Sequence, residues 1–307
     1  MTASRPATGT RATRRAQARL GIALVLPVMV MVVVFFLVPL GNAVYYSLTD
    51  FDGIDPTPAF IGLDNISRMF SDPTVGRSLL HNLVWIAVGT ISPMVIGLLV
   101  AMLLWTTSGR TGVYRLLLFL PFVLPGVAVG IVWGWIYDPI HGSLNGLLGA
   151  VGLDALEHGW LGEPDTALLA VIATAVWAGT GFAVVIFLAA LRNVDLELVD
   201  ASRIDGANAL QRLRYVVLPQ IMPVFLMVLT LTLVGGFSVF DIVFVMTGGG
   251  PAGATEVLGT YAYANAFQLS DIGYGTTIAL LMTLLAVPCA VGLNRLQRRW
   301  SLLGTGA

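Results

Sequence analysis

The sequence predicts an all-α membrane protein with six transmembrane helices, and three observations predict it. Of its 307 residues, 57% are hydrophobic and only 11% are charged, where a soluble domain carries about 25% charged residues. Mean hydropathy is +0.86. Six apolar stretches reach the ~20 residues a helix needs to cross ~30 Å of hydrocarbon. They are 21–45, 83–105, 116–136, 167–188, 221–245 and 276–292. Pro27, Pro39, Pro93, Pro121, Pro125, Pro223 and Pro288 fall in or beside them. Membrane helices tolerate proline because neighbours satisfy the freed carbonyls.

The first stretch has the arginine-rich approach of a secretion signal, with Arg11, Arg14, Arg15 and Arg19. However, no charge appears from Leu20 to Thr49, well beyond a signal core of roughly 7–15 residues. It is expected to be a retained first span. The chain then divides into a tail at 1–19, a membrane domain at 20–300 and a short tail at 301–307. The lone Cys289 lies in an apolar run and reads as a small buried hydrophobe. A net charge of −1 leaves no basic footprint for nucleic acid.

Arginine distribution sets the orientation. The N-terminal tail, 106–115, 191–221 and the C-terminal tail hold fourteen arginines and four acids. The loops 46–82, 137–166 and 246–275 hold two arginines and twelve acids. Six spans with both termini in the cytoplasm explain this split, and 191–221 is then cytoplasmic.

On the outer side, Asp-Gly, Asp-Pro and Pro-x-Pro pairs predict an irregular loop over 46–82. LNGLLGAVG at 144–152 predicts a short interfacial helix, and TGGGPA at 247–252 a flexible turn. His141 and His158 are too isolated for a metal site. Tyr45, Tyr46, Trp133, Trp135, Tyr137 and Trp300 sit near span ends as an interfacial aromatic belt.

Eight of the charged residues lie between 191 and 221. Asn193 or Asp195 can cap a helix there, with Leu196, Val199 and Ile204 at helical spacing. Gly206 stops it. A second short helix is expected over 209–217, ended by Pro219 at the mouth of the fifth span. Asp200 can pair with Arg203, and Asp205 with an arginine of the second helix. Small residues at Ala201 and Ser202 allow close approach of another surface, and apolar residues on so short a segment need cover. The segment 192–219 therefore reads as a docking helix-turn-helix.

Within it, Asp200, Ala201 and Ser202, then Gly206 four residues beyond Ser202, then Val216, Leu218 and Pro219 follow a known spacing. It resembles the Glu-Ala-Ala, Gly, Ile-x-Leu-Pro signature of the inner-membrane permease subunits of binding-protein-dependent ABC importers. FIGLDN at 60–65, the stretch 120–148, FLAAL at 187–191, RIDGA at 203–207, FDIVFVMTGGGP at 240–251 and GYGTTIAL at 273–280 are similar to the carbohydrate-uptake branch.

That resemblance implies a permease subunit that translocates a sugar or related polyol across a bacterial inner membrane. It implies docking on a cytoplasmic ABC ATPase dimer through Asp200, Ala201, Ser202, Asp205, Gly206, Ala207, Leu218 and Pro219. It further implies a second homologous permease subunit and an extracytoplasmic solute-binding protein. The chain has no GxxxxGK[ST] phosphate loop, so ATP and Mg belong to the partner ATPase and no cofactor is expected on this chain. Asp241 is the one acid inside a predicted span, a default functional position. With Trp133, Tyr137, Asn145 and Trp177 it forms the candidate substrate pathway, since sugars are held by aromatic faces and polar groups. An ion-coupled secondary transporter is the alternative, but it wants several buried charges or paired broken helices. No nucleophile–base set supports an intramembrane enzyme.

Overall fold

The computed structural model describes residues 11–106 and 111–304. The ends of both predicted tails and residues 107–110 lie outside the described residues. Five helices are long and apolar enough to cross a membrane: α1 (Leu20–Ser47), α3 (Pro73–Trp105), α7 (Pro164–Leu191), α9 (Ala209–Phe237) and α12 (Ile272–Gly304, apolar as far as Trp300). The sixth crossing is a bent pair, α4 (Thr111–Val123) and α5 (Gly126–Ile136). Shorter helices are α2 (Asp64–Ser71), α6 (Ser143–Ala150), α8 (Leu196–Ile204), α10 (Asp241–Met246) and α11 (Leu258–Tyr263). The short helix expected from LNGLLGAVG is α6.

Two predicted spans are corrected. The stretch 116–136 is not one rod, because its two halves meet at 104°. Proline disfavours the α region for the residue before it. Leu124 leaves the helix ahead of Pro125, which is itself extended (φ −56°, ψ 139°). The fifth span ends at Phe237 rather than 245, and the chain breaks through Ser238–Phe240 before α10 begins.

Elsewhere proline breaks nothing. π turns at Val33–Leu37, Trp85–Thr90 and Leu213–Val217 directly precede Pro39, Pro93 and Pro219. Each contains the residue four positions before its proline, whose carbonyl the ring would strike. A wider turn moves that carbonyl aside and lets the helix continue. Pro219 therefore does not end the second helix of the polar segment. That helix runs unbroken into the fifth span as α9.

Three buried clusters hold the bundle. One joins α3, α7, α8 and α9 through Met94, Phe187, Val199, Val217 and Ile221. A second joins α3, α5, α7 and α10 through Trp85, Val129, Val171 and Val243. The third packs Met69, Val75, Leu258, Tyr274 and Ile278 at the opposite end of the bundle from α8. Glycine sets the closest crossings. A Cβ on Gly97 would lie 2.5 Å from that of Ala183, and one on Gly181 would lie 2.0 Å from the Leu118 carbonyl. Membrane helices pack through such small residues. None of the apolar window of α1 is buried by the rest of the chain.

Polar clamps complete the third cluster. The Tyr261 and Tyr274 hydroxyls donate to Asp72 Oδ2 at 2.6 and 2.7 Å. Burial pushes the Asp72 carboxyl up, but the two tyrosine bonds and the Thr74 amide outweigh it and hold it below its usual range. Arg68 pairs with Asp271 at 2.6 Å. The 247–252 loop, expected as a flexible turn, is tied down: Thr255 donates to the Gly250 carbonyl at 2.7 Å, and Thr247 meets Thr255 at 2.7 Å.

Candidate functional site: a mid-span cavity and a lever

The 28 residues of α7 rise through about 42 Å, so Trp177 and Ala178 lie near its middle. At that level a cavity of about 420 Å³ opens between Ala175, Ala178 and Gly179 of α7 and the two helix breaks. Trp85 of α3, Gly126 of α5, and Ser238 and Asp241 from the second break line its other sides. It shares Trp85, Phe122 and Gly179 with a second space of about 200 Å³ that reaches Thr90, Pro93 and Thr232.

The two breaks are in register. A Cβ on Gly126 would lie 2.1 Å from Asp241 Oδ2, and one on Gly130 would lie 3.1 Å from Val245. Hence α5 and α10 run side by side from the same level. The Asp241 carboxylate sits at the N-terminal end of the 11-residue α5, where a negative charge is favoured by unpaired amides. Among the described residues, its carboxylate has no ion pair and no hydrogen-bond donor.

Asn82 fixes the second break, and the sequence reading missed it. Wholly buried, it donates to the Gly236 carbonyl at 3.0 Å and accepts from the Leu258 amide at 2.9 Å. It thus ties α3, the end of α9 and the start of α11 together. It sits one residue before the predicted span, beside His81, and nothing local marks it out. Trp85 and Ser238 were also missed, because nothing local marks a residue that faces a cavity.

Of the five pathway candidates, only Asp241 lines this cavity. Asn145 accepts from Trp160 Nε1 at 2.6 Å and donates to the Pro139 and His158 carbonyls at 3.3 and 3.0 Å, so it braces the 137–166 loop. The buried Tyr137 donates to the Ala170 carbonyl at 3.1 Å. Trp133 packs edge-on to Trp177 at 5.4 Å, and its indole N–H is buried without an acceptor. Tyr137 and Asn145 lie toward the Pro164 end of α7, and Trp133 links Tyr137 to Trp177, which sits at the level of the cavity but not on its wall.

The polar segment packs on α9. Asp195 caps α8 by accepting from the Glu197 amide at 2.9 Å. The Asp195 amide donates to Gln220 at 2.9 Å, and Val199 packs with Val217 and Ile221. Gly206, at φ +77°, turns the chain. Asn208 and Gln211 then form a reciprocal capping box at the start of α9. Asp200 pairs with Arg203 at 2.8 Å as expected. The second expected pair is not made: among the described residues Asp205 has no ion pair, and Arg212 donates instead to the Ala207 carbonyl at 2.6 Å. The close backbone acceptor across the Gly206 turn captures that guanidinium. Bonded to α9 at its Asp195 end and packed on it through Val199, α8 still shows Ile204 to solvent at 88% exposure.

Six membrane crossings, a mid-span cavity at two helix breaks and a polar helix-turn-helix packed on one crossing define a membrane transport subunit. Residues 94–301 match the family model of the binding-protein-dependent transport system inner membrane component, and the chain belongs to that family. It is 32% identical over 255 residues to the probable ABC transporter permease protein YurN of Bacillus subtilis, covering 82% of this chain and 87% of that protein. It is 31% identical to the trehalose/maltose transport system permease protein MalF of Thermococcus litoralis, covering 88% and 91%. In fold it is similar to a chain of the bacterial alginate ABC transporter solved with an alginate-bound periplasmic protein. The TM-score is 0.81 at 20% identity, over 95% of this chain and 98% of that one. The chain is thus a multi-pass permease subunit of an ABC importer, and its ATPase is a separate subunit.

Proposed function

We propose that the chain forms half of the pore of an importer for a sugar or related polyol. The solute is delivered by an extracytoplasmic binding protein, and a second homologous permease subunit supplies the other half. Residues 20–300 form the translocating domain, with 1–19 and 301–307 as cytoplasmic tails. The observation that carries the reading is the rigid join of α8 to α9. Asp200, Ala201, Ser202, Asp205, Gly206 and Ala207 form the face and turn that dock in a groove of the cytoplasmic ATPase dimer. Leu218 and Pro219 lie where the lever passes into the span. ATP and Mg bind the ATPase subunits, whose closure moves α8 and tilts α9. The break beyond Phe237 lets the distal half respond separately. Each pore state is favoured only by differential contacts with ATP and with the loaded binding protein. Names of relatives that transport trehalose and maltose or multiple sugars support the solute class.

The test is reconstitution of the whole complex in vesicles, with labelling of single cysteines at 195–215. ATP-dependent uptake of a neutral disaccharide and labelling from the ATPase side are expected. Uptake without nucleotide, or labelling from the binding-protein side, would overturn the reading.

A further inference from the structure

We propose that Asp241 makes the mid-span cavity a charge filter, open to uncharged hydroxyl-bearing solutes and closed to anions such as phosphorylated or uronic sugars. This rests on the reading of that cavity as the solute pathway. The cavity lies at the middle of a membrane-crossing helix, and among the described residues Asp241 is the one charged residue lining it or the space it continues into, with no basic side chain beside it. Apart from Ser238, the walls around the carboxylate are apolar or glycine, and Trp85 and Phe122 are among them. Gly126 leaves the carboxylate uncovered at the N-terminal end of α5.

Coulomb repulsion is far stronger between low-dielectric walls than in water. An anion entering this space meets an uncompensated like charge. A neutral polyol instead donates hydroxyl hydrogens to the two acceptor oxygens.

The exposed Ser238 on the same wall provides the reporter position. The assembled transporter in nanodiscs carries Ser238→Cys with Cys289→Ser, and labelling at residue 238 is read by mass spectrometry. Three methanethiosulfonates of similar size are compared, bearing trimethylammonium, hydroxyl or sulfonate. After normalising to a free thiol, the cation should react roughly tenfold or more faster than the anion. Asp241→Asn should collapse that ratio to about one. A ratio unchanged by Asp241→Asn overturns the filter and leaves the pathway reading standing. No labelling by any reagent, with or without trapped nucleotide, overturns both.

Discussion

Asp241 and Gly126 meet where two broken membrane crossings come level. A Cβ on Gly126 would fall 2.1 Å from Asp241 Oδ2. Gly126→Ala must therefore move the carboxylate or part the two breaks. Uptake by the reconstituted complex should drop at least about tenfold while subunit co-purification stays normal, since a 1 Å misplacement at a site can cost on the order of a hundredfold. Unchanged uptake would show that the contact is incidental.

Gly206 tests the lever. Its φ of +77° disfavours a side chain by roughly 1–2 kcal/mol, yet a Cβ there meets nothing within 4 Å inside the chain. Gly206→Ala should cost only that backbone term and leave assembly with the ATPase intact. Gly206→Trp or Asp200→Arg should lose the ATPase on co-purification and abolish uptake, because the obstruction lies in the partner's groove. Normal assembly and uptake in both would remove α8 from the docking surface.

Asn82→Ala strands the Gly236 carbonyl and the Leu258 amide in a dry interior. Each unpaired group costs about 1–3 kcal/mol. The melting temperature of the purified complex should fall by several degrees. Asn82→Asp, which keeps an acceptor for Leu258, should recover part of the loss. Equal melting of wild type and Asn82→Ala would contradict the clamp.

Glu256 supplies a pH signature. Burial pushes its carboxyl above the ordinary range, against the Thr260 hydroxyl and the His81 charge that lower it. Folding therefore favours the protonated form. The contribution is full below the unfolded carboxylate range and is lost as pH rises through the raised value. Glu256→Gln should match wild type in acid and melt higher above that window. A difference of the opposite sign, or none across pH 4 to 8, would refute it.

Legibility followed the range of the physics. The crossings, the polar segment and the Asp200–Arg203 pair were readable because hydropathy and helix spacing act over a few residues. Pro125 breaks its span while Pro219 does not, and local sequence does not separate the two. The difference lies in the π turn at Leu213–Val217 and in what packs around each proline. Asp241 was found because a lone acid in an apolar run is conspicuous. Trp133, Tyr137, Asn145 and Trp177 were grouped with it by chemistry alone, and none of the four lines the mid-span cavity.

By itself the sequence determined a six-crossing helical membrane protein and its polar helix-turn-helix, because burial in lipid imposes length and charge rules on each segment separately, and the spacing of its small and charged residues carried the resemblance to its family. Only the tertiary structure decided that the third and fifth crossings break at one level and bring Asp241 onto Gly126. That meeting joins residues 115 positions apart, and packing against α7 and α3, not any local preference, holds them together.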